Sequence, residues 1–203
     1  MITPEQKIVA LQKAKEWIVK IDDPMHSVPH MEQTFAYAMD LAVSYPEADR
    51  DILEIAVWWH DVGRVFLDDG HAQKSAEMAG ESLGSIGIDP GDVAKICAMI
   101  ESHSNSSTTK PASLEAIILK DADKLDFLTV SRWQIGIGDE RSKEINIGIS
   151  KIPAIGREIL KLPESKIMYE KLFVQLVKYL KTADNAFINN LKPRIREEWK
   201  VEV

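Results

Sequence analysis

Asp51-Ile52-Leu53-Glu54-Ile55-Ala56-Val57-Trp58-Trp59-His60-Asp61-Val62-Gly63-Arg64 is the stretch on which the fold turns. From Ile52 to Trp59 only Glu54 is polar, and His60 follows Ala56 by four residues and Leu53 by seven, so it continues an apolar face at helical spacing. The stretch predicts a helix over about 49–62 that faces a core, with Gly63 as a left-handed stop and His60-Asp61 at its closing end. An ionised carboxylate placed after such a segment is expensive to bury unless a cation or good hydrogen bonds compensate it.

The same period extends through most of the chain. Helices are expected at 4–20, 29–44, 49–62, 71–86, 90–103, 112–130, 164–182 and 185–199. Pro29 sits where a first helical turn tolerates proline, which puts His26 just before that helix and His30 inside it. Gly84, after Ala76, Ala79 and Leu83, is read as another left-handed stop. Ser102 to Ser113 is rich in Ser, Thr, Asn and Pro and reads as a loop, as does Gly136 to Pro163 with short helical pieces. No repeat and no strand-like alternation is present, so the fold class is all-α, a helical bundle.

With 203 residues and 45% hydrophobic content, the chain can bury one sizeable core and is expected to form a single domain over 1–203. A net charge of -7 argues against nucleic acid or an anionic membrane surface as a partner, while a small phosphorylated substrate remains compatible through local metal charge. No apolar run approaches the length of a membrane span, and the amino terminus mixes Glu5, Lys7, Lys13 and Lys15 into its apolar residues, unlike a signal peptide. Cys97 is the single cysteine, set among Ile96, Ala98 and Ile100, and reads as a helix position in a reducing compartment. The expected location is cytoplasmic. Asn105-Ser106-Ser107 has the pattern of a glycosylation acceptor, which a cytoplasmic chain would not use.

Chemistry concentrates in a few polar residues with apolar surroundings. His103 follows Ile100 by three residues and Ile96 by seven, so its ring is expected to point inward like that of His60. Taken singly, each such histidine is most simply a core residue; only the set together points to chemistry. Carboxylates stand in equally apolar company, in the run Ile117-Ile118-Leu119-Lys120-Asp121-Ala122-Asp123-Lys124-Leu125-Asp126. A divalent metal would compensate buried carboxylates, and imidazole with carboxylate suits Mn, Fe, Co, Ni, Zn or, with more oxygens, Mg. Trp58-Trp59 are read as core rather than as a base-stacking pair.

His30, then His60-Asp61, then Asp123 in Asp-Ala-Asp-Lys-Leu-Asp: this order resembles the HD-domain superfamily of metal-dependent phosphohydrolases, over roughly residues 20–135. The resemblance implies a helical bundle of HD-domain type; the remaining residues, about 136–203, read from Leu172, Leu176, Leu180, Phe187, Leu191 and Trp199 as extra packing helices that cover the bundle or form a homodimer contact. It assigns metal ligation to His30, His60, Asp61 and Asp123, the choice of Asp123 over Asp121 or Asp126 following the family pattern. Small stand-alone HD hydrolases are the most similar group, with places for His26, four before the first ligand, for His71 before the Ser75-Ala76 pair, and for His103. The resemblance implies that His71 and His103 hold a second metal with Asp61 bridging, or else face the substrate phosphate; one ion and two are both open.

The implied activity is hydrolysis of a nucleotide or other small phosphate ester or anhydride through a metal-activated water. Asp61, Arg64, His71 and His103 are the catalytic candidates: Arg64 as a cation three residues after Asp61, the two imidazoles for proton transfer or phosphate binding. Lys124 follows Asp123 but turns about 100° from it on a helix. His26 is expected to orient a ligand. The competing possibility is a non-catalytic HD-like module that binds a metal or nucleotide without turnover.

Overall fold

Thr3 starts the first helix with a reciprocal cap, its hydroxyl accepting the Gln6 N–H while the Gln6 side chain accepts the Thr3 N–H. The structure, a computed structural model, describes residues 1–104, 108–138 and 142–203. Its helices are α1 (Pro4–Ile18), α2 (Val28–Ala42), α3 (Arg50–Trp59), α4 (His71–Ser85), α5 (Pro90–His103), α6 (Leu114–Asp126), α7 (Val130–Gly138), α8 (Ser142–Ala154), α9 (Pro163–Thr182) and α10 (Ala186–Trp199). Short 3-10 turns at Pro24–His26 and Val62–Val65 precede α2 and follow α3, and a π turn, Ile155–Ile159, follows α8. No strand occurs among the described residues, and no helix among them is long and apolar enough to cross a membrane. The Asn105-Ser106-Ser107 triplet lies outside the described residues.

The chain divides into two compact units, Met1–Asp123 and Lys124–Val203. In the first, α3 is the central helix and packs against α1, α2, α4 and α5. Its apolar run explains this: Leu53, Ile55, Ala56, Val57 and Trp59 are fully buried. Burial of such side chains contributes about 1.5–3 kcal/mol each. Asp49 caps the entry by accepting the Asp51 and Ile52 N–H groups. Trp58 and Trp59 are both buried, and the Trp59 indole N–H donates to the Ala10 carbonyl of α1, so this pair is core. Cys97 is half-buried on α5, with its thiol against the Ala76 carbonyl.

The glycine stops fall elsewhere than expected. Left-handed backbone occurs at Gly70 and Gly87, with φ of 82° and 77°, while Gly63 and Gly84 do not adopt it. α4 therefore runs past Gly84 to Ser85 before the chain reverses. Gly63 is small for a different reason: a Cβ there would stand 2.4 Å from the His71 carbonyl oxygen and 2.7 Å from the Ser75 nitrogen. Glycine at this point allows the turn after α3 to lie directly against the start of α4.

The second unit is more helical than its glycines and prolines suggest. The stretch from Gly136 to Pro163 contains the end of α7, all of α8 and the π turn, where loop with short pieces was expected. Pro153 inside α8 leaves the Ile149 carbonyl without its helical donor. The Trp199 indole N–H takes that carbonyl at 2.8 Å, which offsets the missing bond. Gly148 admits the Phe127 ring, which a Cβ would meet at 2.7 Å. Trp133, Phe173 and Trp199 continue an aromatic interior, with Leu176 and Leu180 fully buried beside it in sequence on α9.

Candidate metal centre

Six elements of the first unit bring the centre together. His30 stands in the first turn of α2, His60 closes α3, Asp61 opens the 3-10 turn that carries Arg64, His71 begins α4, His103 ends α5, and Asp123 lies on α6. His30, His60, Asp61, His71 and His103 are all buried. Helix ends place them there because a side chain at the last or first turn can point past the end of its own helix into the space where other ends converge.

Three of the four histidine rings have their tautomer fixed by backbone. His60 Nδ1–H donates to the Val57 carbonyl at 2.7 Å, His71 Nδ1–H to Asp68 at 2.7 Å, and His103 Nδ1–H to Ile100 at 2.5 Å. A carbonyl only accepts, so the proton of each ring sits on Nδ1. Burial pushes the His60 pKa down to about 3 and lowers that of His103, so both are neutral rings with a lone pair on Nε2. At His71 it is a hydrogen bond that marks Nε2 as the acceptor: the Arg64 guanidinium, which only donates, lies with Nη2 3.2 Å from it.

Apart from the Arg64 contact to His71, these nitrogens face carboxylate oxygens. Asp61 Oδ1 lies 3.1 Å from His71 Nε2 and 3.4 Å from His103 Nε2, yet this buried oxygen accepts no hydrogen bond. Asp61 Oδ2 stands 3.7 Å from both His30 Nε2 and His60 Nε2, and 2.8 Å from Arg64 Nε in an ion pair without hydrogen-bond alignment. Asp123 Oδ1 is 3.5 Å from His30 Nε2 and 4.0 Å from His60 Nε2. The His30 and His60 Nε2 atoms themselves are 3.3 Å apart, with Thr34 Oγ1 3.4 Å behind His30 Nδ1.

Acceptors facing acceptors at these distances repel unless a cation lies between them. Ligands each about 2.1 Å from a shared ion stand roughly 3–3.5 Å apart, which is the spacing of the His71 and His103 nitrogens from Asp61 Oδ1. Among the described residues, two groups could each hold an ion, His30 with His60 and Asp123, and His60 with Asp61 and His103, every donor atom of a group lying within 4.8 Å of the others. The donor set thus fits a divalent metal. Burial alone would raise the Asp61 pKa, but the adjacent Arg64 charge outweighs it and holds the carboxyl well below the usual range. Asp61 is therefore an anion in the interior, ready to ligate.

Residues 28–128 match the HD domain family. The chain belongs to that family. Its HD domain spans every residue of the cluster, and HD proteins are metal-dependent hydrolases, in keeping with the His and Asp groups found here. Over nearly the whole chain the fold is similar to the crystal structure of a predicted HD superfamily hydrolase from an uncultured Thermotogales bacterium, at 25% identity and a TM-score of 0.63, covering 94% of this chain and 91% of that one. It is also similar to a Lactobacillus plantarum protein at 20% identity and a TM-score of 0.70, covering 96% and 98%. No curated protein matches the chain.

Of the three aspartates in the Asp121–Asp126 run, Asp123 is the one that groups with His30 and His60 as a possible metal-holding set. Asp126 is engaged by Arg132 and Thr129 instead. His26 hydrogen bonds through Nδ1 to the Asp23 carboxylate and meets the His30 ring edge-on at 5.6 Å, so it touches a ligand candidate from outside the cluster. Lys124 is half-buried on α6.

Ser75 and Asp23 were not singled out by composition or period. Ser75 is fully buried, and its hydroxyl accepts the Gly63 N–H at 2.8 Å, pinning the Asp61–Arg64 turn to α4. Asp23 lies three residues before His26, a spacing that could have marked it.

Proposed function

We propose that this HD-domain protein is a metal-dependent phosphohydrolase acting on a nucleotide or another small phosphate ester or anhydride. The observation that carries the proposal is Asp61 Oδ1, a buried carboxylate oxygen without a hydrogen bond that faces the Nε2 atoms of His71 and His103. His30, His60, Asp61 and Asp123 would hold the ion, with His71 and His103 extending the set at the other oxygen of Asp61. When bound, a divalent metal supplies positive charge to phosphoryl oxygens and lowers the pKa of water.

The chain's own groups supply the rest. The backbone bonds of His60, His71 and His103 hold their protons on Nδ1, so only Nε2 of each ring can ligate or take up a proton. Arg64, whose guanidinium reaches both Asp61 and His71, is the cation placed to bind a phosphoryl oxygen as charge builds during P–O cleavage.

A panel of nucleoside mono-, di- and triphosphates, cyclic dinucleotides and simple phosphate esters, assayed with metal-loaded wild type and an Asp61→Ala variant, tests this. Metal-dependent release of phosphate or pyrophosphate by wild type alone is expected. Stoichiometric metal without turnover of any of these compounds would mark a binding module instead.

A further inference from the structure

Arg64 occupies an unusual position for a phosphate-binding cation. Its Nη2 donates to the lone pair of His71 Nε2 at 3.2 Å, and its Nε lies 2.8 Å from Asp61 Oδ2. His71 has only one lone pair to offer, because its Nδ1–H is committed to the Asp68 carbonyl at 2.7 Å. That lone pair can accept the Arg64 N–H or ligate an ion, not both. We propose that Arg64 holds the place of a second cation at the His71–Asp61 side of the cluster and gives it up when a substrate phosphate draws the guanidinium away, so that second-ion binding and phosphate binding are coupled through Arg64. This rests on the metal-centre reading above.

Charge and geometry point the same way. Asp61 and Asp123 bring two negative charges to the cluster and Arg64 returns one positive charge. One divalent ion on the His30–His60–Asp123 side turns the remaining single negative charge into a single positive one. A second ion beside His71 and His103 then meets a net positive cluster whose guanidinium is already seated on the same ligands. Arg64 has limited freedom to retreat by itself, because it lies in the 3-10 turn that Ser75 pins through the Gly63 N–H. A phosphate offers the guanidinium planar, two-oxygen recognition that a single imidazole nitrogen cannot match, and so competes for it directly. Once the side chain turns to that anion, His71 Nε2 and the Asp61 carboxylate are released together. By linkage, an ion that tightens phosphate binding must itself be bound more tightly when phosphate is present.

Titration of metal-free protein with Mn²⁺, by calorimetry and by counting free Mn²⁺ from its electron paramagnetic resonance signal, with and without inorganic phosphate, tests this in wild type, Arg64→Gln and Arg64→Lys. Wild type is expected to bind one ion tightly and a second more weakly, the second tightening about ten-fold or more with phosphate, within the usual range of coupling between sites. In Arg64→Gln the second ion should bind tightly without phosphate and gain little from it. Arg64→Lys should fall between, since an ammonium cannot span Asp61 and His71 as the guanidinium does; it also decides the matter if the Gln variant does not fold, fold being checked by circular dichroism and melting. Second-ion affinity and phosphate coupling unchanged in both variants would overturn the role of Arg64 while leaving the metal centre standing. No Mn²⁺ uptake by wild type would overturn the metal reading itself, and this inference with it.

Discussion

Asp61 in the first unit and Asp126 in the second are both buried carboxylates with an arginine nearby, and their surroundings differ in kind. Asp126 is satisfied by its own chain: Arg132 Nη1 donates to one oxygen at 2.8 Å and the Thr129 hydroxyl reaches the other at 3.2 Å. Asp61 has Arg64 beside one oxygen and only imidazole lone pairs before the other. A buried carboxylate closed off by protein donors holds a turn in place. One left facing other acceptors is built for something the chain does not supply. Burial and a nearby arginine alone do not separate the two; the direction of every neighbouring proton does.

The largest effect should come from removing that carboxylate. Asp61→Asn is expected to lower metal-dependent turnover by about 10²–10³-fold or more, the scale of losing one essential electrostatic contact. The variant should also lose the rise in melting temperature that metal gives wild type. Asp126→Asn should do the reverse, costing about 3–5 kcal/mol of stability by leaving Arg132 buried without its anion while metal uptake per folded molecule is kept. Denaturant melts and metal titrations of the two variants side by side would break the comparison if both lost metal or both lost only stability.

Acid sharpens the contrast, since all five histidines lie between His26 and His103. The His60 pKa is about 3 in the folded protein against 6.5 for an exposed imidazole, so between those values the unfolded chain binds a proton that the native protein refuses. Stability of the metal-free protein should therefore fall as pH drops from about 6.5 toward 3, by roughly 1.4 kcal/mol per pH unit for this group, and His103 acts in the same direction. Urea melts at pH 7, 6 and 5 measure it; a flat profile would contradict the buried neutral rings. The smallest effect is expected at Gly63→Ala, whose Cβ would press on the His71 carbonyl and cost about 1–3 kcal/mol. Weakened metal binding beyond that loss would show that the turn also sets the position of His71.

Much of this was legible in the sequence because helical period and burial speak through spacing. The run from Ile52 to Trp59 placed His60 on an inward face, and the helices around it lie within a few residues of their expected ends. Gly63 and Gly84 misled because a glycine after an apolar run can serve close approach as well as left-handed backbone. Pro153 misled because Trp199, far along the chain, takes over the carbonyl that proline leaves without a donor. At the centre, the order His30, His60-Asp61, Asp123 identified the participants. The backbone bonds that fix each imidazole and the clasp between Ser75 and Gly63 depend on positions that only the folded chain defines.

Whether the cluster around Asp61 holds metal is answered most directly by elemental analysis of the purified protein beside Asp61→Ala. At least one equivalent of a divalent metal in wild type, lost in the variant while its helical circular dichroism persists, is the predicted result. Wild type that carries no divalent metal, and takes none up when dialysed against Mn²⁺, Mg²⁺, Zn²⁺, Co²⁺, Ni²⁺ or Fe²⁺, would contradict it.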